Sequence, residues 1–298
     1  VTSKAQITKI ASKDGVDARV VERDYVLAHV VALISSHDAE ARLVFKGGTS
    51  LRLLHFDEYR YSADLDYSVV MGTEAEAHVV IRGALGERRP DTIKALSLDD
   101  SSDRIVYVGP LGAERTIKLD LADDELVIHT ERRSLLKRWP DLPEVPVAAY
   151  TTLEITAEKL RCVLQRLQCR DFLDLDLLLE EADLAAAAEL FGRKAAHKGL
   201  DPASFAERFE KRVKRSAGTK SSASTLVRSP TSQRSSEGFG GHCVEHNYCE
   251  TEAAGRRRAA RHGSLPRHGP RVDDRARPRC ARAIAGLYLS EQPPIVAP

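Results

Sequence analysis

The sequence has no apolar run long enough to span a bilayer, and no charged leader followed by an apolar stretch at its start. A membrane-spanning protein is not expected, nor a secreted one, and the expected location is cytoplasmic. Cysteine is scarce. There are five, an odd number at irregular spacing, which speaks against a disulfide framework. Cys162 and Cys169 fall seven apart and are expected to pack, not to bind metal. No segment repeats, so a solenoid is excluded. Nor is there a charge excess: 45 Lys and Arg stand against 44 Asp and Glu. Net charge alone therefore argues for no particular partner.

What is present suffices for a globular enzyme. The 298 residues are 42% hydrophobic, enough to bury a sizeable core in one large or two ordinary domains. Charge is unevenly placed. Residues 216–298 hold 13 Lys and Arg against 7 Asp and Glu, leaving the first 215 mildly acidic. The same tail is rich in Arg, Ser, Gly, Ala and Pro and poor in Leu, Ile, Val and Phe, so it is expected to be poorly ordered. His242, Cys243, His246 and Cys249 lie in it, at a spacing that matches no standard zinc module.

Two stretches carry the chemistry. Phe45-Lys46-Gly47-Gly48-Thr49-Ser50-Leu51-Arg52 reads as a strand end, a glycine turn and a helix start. Paired glycines permit positive φ and close approach of a ligand to the main chain. The first N–H groups of a helix have no intrahelical partner and suit a phosphate. Ser62, Asp64 and Asp66 then alternate on a strand-like run and would point the same way. Two carboxylates held side by side repel, and a divalent cation relieves them. A further strand, Arg115 to Leu121, places Thr116, Lys118 and Asp120 on one face, and Asp120 is a candidate third carboxylate.

This ordered pattern resembles the AbiEii/AbiGii nucleotidyltransferase toxins, a branch of the polymerase-β-like superfamily. The resemblance implies an α/β fold: a polymerase-β-like lobe with a mixed sheet over 1–138, then a mainly helical lobe over 147–215. It implies transfer of a nucleoside monophosphate from an NTP to an acceptor, the 3′ end of tRNA in some relatives, with a cognate antitoxin as partner. Asp64, Asp66 and Asp120 would hold Mg²⁺ or Mn²⁺. Gly47, Gly48, Thr49 and Ser50 would cradle phosphates, with Arg52 and Ser62 beside them. Arg23 and Asp24 would help close the site. Two alternatives stand: transfer to a protein or small molecule, or a catalytically weakened nucleotide-binding partner of an antitoxin.

The remaining elements follow from periodicity. A helix is expected from Val20, with Val21, Tyr25, Ala28, Val31 and Ala32 inward, and another over 74–89. Pro140, Pro143 and Pro146 suggest a linker between lobes. Leu153, Ala157, Leu160, Leu164 and Leu167 form the stripe of a later helix. Lys159, Arg166 and Arg170 share one face of it and are expected at a cleft, facing triphosphate or RNA. Lys159 with Asp171 or Asp174 resembles the later motifs of the same family, where such residues are implicated in activity. Further helix is expected over 182–214, with Phe205, Phe209 and Val213 inward. The family continues past this point with packed helices, from which the tail departs.

Overall fold

A computed structural model describes residues 2–207, apart from 58, 100, 167, 203, 205 and 206. Leu167, Phe205, Phe209, Val213, the tail and its His and Cys residues lie outside the described residues. The described chain divides into two units. The first comprises Val1–Ala157 with Glu181–Leu190, and the described part of the second Glu158–Glu180 with residues from Phe191 on.

The first unit begins with α1 (Lys4–Asp14), where the sequence offered only a polar stretch. A capping box explains it: Ser3 accepts from Gln6 N, and the Gln6 side chain accepts from Ser3 N. α2 (Ala18–His37) carries the expected stripe. It also buries Glu22, Asp24 and His29, each beside a partner: Arg115, Arg52 and Asp141 respectively.

β1 (Leu43–Lys46) leads into α3 (Gly47–Ser50), which runs directly into a π-helical turn, Leu51–His55. β2 (Leu65–Val69) follows, then α4 (Glu74–Leu85), opened by a second capping box between Thr73 and Glu76. The strands β3 (Ala95–Asp99), β4 (Arg104–Val108), β5 (Glu114–Ala122), β6 (Thr130–Ser134) and β7 (Pro146–Tyr150) complete a seven-stranded sheet. Its order is β3-β4-β5-β2-β1-β7-β6. β2 pairs β5 and β1 pairs β7 in parallel, while the other neighbours are antiparallel. The sheet is therefore mixed, as the resemblance implied.

The proline-punctuated stretch does not end this lobe. Trp139 is buried against Tyr25, and Pro146 opens a strand paired to β1. Pro146 sits at a strand end, a position a sheet tolerates. The division between the units falls within α5 (Thr152–Gln165) instead.

Alternation gives the centre of the sheet two unlike faces. Phe45, Leu65, Tyr67 and Leu119 point one way and join the buried residues of α1, α2 and α4 in one core. Each such side chain contributes about 1.5–3 kcal/mol by leaving water. Lys46, Asp66 and Asp120 are lateral neighbours across β1, β2 and β5 and point the other way. The second unit holds most of α5, then α6 (Cys169–Leu178) and the end of α7 (Leu184–His197).

Candidate active site

The polar face of the sheet is built by register. Asp66 on β2 stands directly beside Asp120 on β5, and Asp64 lies two residues before Asp66. The expected third carboxylate is thus brought to the first two by a parallel strand pair. Lys118, two residues before Asp120, reaches its carboxylate at 2.5 Å. That bond to Asp120 raises the Lys118 pKa, and the nearby charges of Asp64 and Asp66 raise it further.

The glycine turn lies against this face. Gly47 has φ +79°, a region side chains avoid. A Cβ there would stand 2.2 Å from Asp66 Oδ2, so the carboxylate occupies the space that glycine leaves. A Cβ at Gly48 would meet Arg60 Nη2 at 2.8 Å and Ser62 Oγ at 3.3 Å. Arg60, Ser62 and Asp64 follow the same two-residue spacing towards Asp66. The sequence assigned Arg60 no role, although that spacing was visible.

Gly47→Ala is therefore expected to cost about 1–3 kcal/mol through backbone strain, and to push Asp66 out of place. Gly48→Ala meets only the tips of flexible side chains and should stay within about 1 kcal/mol of the native protein. Thermal melts of both variants, with NTP titration, check this contrast. Equal behaviour would mean the turn is not shaped around Asp66.

The Thr49 and Ser50 side chains serve the turn itself. Thr49 Oγ1 donates to the carbonyl of Asp64, and Ser50 Oγ donates to the carbonyl of Gly47. Both residues are almost wholly buried, main chain included, so of the expected phosphate cradle only Gly47 and Gly48 keep exposed surface. Arg52 is a correction. It is buried, paired with Asp24, donating to the Tyr59 carbonyl and stacked 3.7 Å from the Tyr61 ring centroid. Arg52 and Asp24 tie the π-helical turn to α2, and each charge is taken up by the other. Lys46 is joined to Glu125, whose Oε2 also accepts from Ser68 Oγ at 2.7 Å and Tyr150 OH at 3.1 Å.

In the second unit, Lys159, Asp171 and Asp174 come together, but not as a cleft-facing row. Both carboxylates are fully buried, and Lys159 Nζ lies 3.0 Å from Asp171 and 2.7 Å from Asp174. Burial pulls the Lys159 pKa down, but Asp174 and Asp171 outweigh it and the pKa is raised. Arg166 lies just past the end of α5 and forks onto Asp171, at 2.8 and 3.2 Å. The expected cation row is thus partly consumed in an ion centre, with Arg170 outside it.

Among the described residues, no three His, Cys, Asp or Glu side chains converge as a ready-made metal cage. The donor set nevertheless fits Mg²⁺ or Mn²⁺. Asp64, Asp66 and Asp120 offer hard oxygens, and the ammonium among them shows that the face attracts positive charge. No described helix is long and apolar enough to cross a membrane.

Among curated protein sequences none matches. Among solved structures, the fold is similar to that of MenT4, a nucleotidyltransferase toxin from Mycobacterium tuberculosis H37Rv. That likeness has a TM-score of 0.55 at 19% identity and covers 96% of this chain and 99% of the other. The family model described as "Nucleotidyl transferase AbiEii toxin, Type IV TA system" matches residues 30–234. The match covers more than half of the sequence and contains the glycine turn, Asp64, Asp66 and Asp120, and the buried ion centre, so the chain belongs to the AbiEii family of nucleotidyl transferase toxins of toxin–antitoxin systems.

Proposed function

We propose that the polar face of the sheet and the glycine turn form the site where this toxin moves a nucleoside monophosphate from an NTP to a hydroxyl at the 3′ end of tRNA, blocking translation. The observation that carries the reading is the fit of Asp66 against Gly47 beside Asp120. Carboxylates and a main-chain cradle for phosphates then belong to one surface. The acceptor oxygen attacks the α-phosphorus, the bond from that phosphorus to its β-bridging oxygen breaks, and pyrophosphate leaves.

A divalent cation held by Asp64, Asp66 and Asp120 would offset the charge of the triphosphate and of the attacking and leaving oxygens. The chain supplies the rest. The backbone of Gly47 and Gly48 receives the phosphates, and Arg60 and Ser62 border that cradle. Asp120, whose side chain is half-exposed on the same face, would also accept the hydroxyl proton. The tRNA acceptor rests on the family resemblance, and the antitoxin on family membership.

The test incubates the full chain with each α-labelled NTP, Mg²⁺, total tRNA and total protein. The expected result is label at tRNA 3′ ends with one preferred NTP, lost on chelation. Label on protein or a small molecule would overturn the tRNA assignment. No label with any NTP or acceptor would overturn the enzyme and leave a nucleotide-binding partner of the antitoxin.

A further inference from the structure

The carboxylate face holds a cation of its own. Leu65 and Leu119 are register partners, as are Asp66 and Asp120. Asp64 lies just before β2 and Lys118 just before Leu119, so three carboxylates act on the one ammonium. Lys118 is bonded to Asp120 on its own strand and lies in the field of Asp64 and Asp66 across the strand gap. Lys46, the lateral neighbour of Asp66 on β1, is turned to Glu125 and does not share this role.

The Lys118–Asp120 pair does little for the fold. Their side chains are 50% and 51% exposed, and exposed pairs contribute little stability. A lysine is a compact charge on a flexible stem, free to exchange one anionic partner for another. A divalent cation reaching this face alone meets both the repulsion of the ammonium and a carboxylate already engaged. If the cation arrives with a triphosphate, the ammonium gains a phosphate oxygen as it gives up Asp120.

We infer that Lys118 is the resident counter-ion of this face: it competes with a divalent cation for Asp64, Asp66 and Asp120, and yields when a nucleotide phosphate takes its ammonium. Lys118 is thereby a positioning residue that couples metal binding to nucleotide binding. The inference rests on the proposed metal-binding role of the face, and its test separates the two.

The experiment is a Mn²⁺ titration of the full chain without nucleotide, followed by the electron paramagnetic resonance of free Mn²⁺. Lys118→Gln should bind Mn²⁺ about tenfold more tightly than the native protein, the repulsion expected of a unit and a double charge a few ångströms apart in water. Lys118→Arg, which keeps the charge, should stay near the native affinity. Melting temperatures of both should match the native protein. A folded Lys118→Gln protein with unchanged or weaker Mn²⁺ affinity overturns the inference, as does equal tightening by Lys118→Arg. Asp66→Asn tests the underlying reading: it should lose Mn²⁺, and if it binds Mn²⁺ as the native protein does, the metal assignment falls. Loss in Asp66→Asn with no change in Lys118→Gln overturns the role of Lys118 alone. Absence of binding in every variant overturns both.

Discussion

Asp64→Asn is expected to lower nucleotidyl transfer by about a thousandfold, the scale on which removal of one transition-state stabilising group acts, while the protein stays folded. The substitution keeps shape and removes charge. Asp64 is partly exposed, and it is its main-chain carbonyl that Thr49 holds. The turn and strand therefore keep their places when the charge goes. Relief of the repulsion between Asp64 and Asp66 should leave the melting temperature level or slightly raised. The measurement pairs turnover of an α-labelled NTP with a thermal melt. Native-like turnover in a folded Asp64→Asn protein would refute the carboxylate assignment.

Lys159→Ala is expected to destabilise the second unit by about 3–5 kcal/mol, because it strips the shared cation from two buried carboxylates. The sequence implied a cleft lysine, whereas the folded chain buries it. Arg166 also forks onto Asp171, so that carboxylate keeps a cation when Lys159 is removed. Lys159→Ala with Asp171→Asn and Asp174→Asn removes the charges together and should recover much of the loss. Urea unfolding of the single and triple variants checks both steps. A single variant with native stability would show that Lys159 is not the centre's counter-charge. Charge reversal at Arg166 would disturb the same centre, so it cannot probe acceptor binding cleanly.

The legible parts of the sequence were those where a local rule and the tertiary fold agree. Leu65-Asp66-Tyr67-Ser68-Val69 alternates as a half-buried strand should, and its polar side is the carboxylate face. Asp120 was found by the same alternation, although only strand order could put it beside Asp66. β6 was illegible for a physical reason. Thr130-Glu131-Arg132-Arg133-Ser134 has no apolar side, because it is an edge strand held by main-chain bonds to β7. β7 was hidden by its own proline and by two alanines that carry little strand preference. Arg52 was misread because its partner Asp24 lies 28 residues away on α2. A motif gives the residue types near a site, but not which charge the core has already claimed.

The place of β1 in the sheet has a consequence for how the toxin comes off the ribosome. The strand that leads into the glycine turn is flanked by β2 on one side and by β7 on the other, and β7 is the last of the described strands to be synthesised. Until residues 146–150 exist, β1 presents one row of unpaired main-chain groups. The carboxylate face is likewise unfinished until β5 has been made and docked in parallel, a slow, non-local pairing. Residues 1–70 carry the whole Gly-Gly and Asp-x-Asp signature. A nascent or truncated chain of that length has the signature without β5 and β7 beside it. Strand order thus delays the arming of the toxin, and its own translation passes through a stage with the motif complete and the site still open.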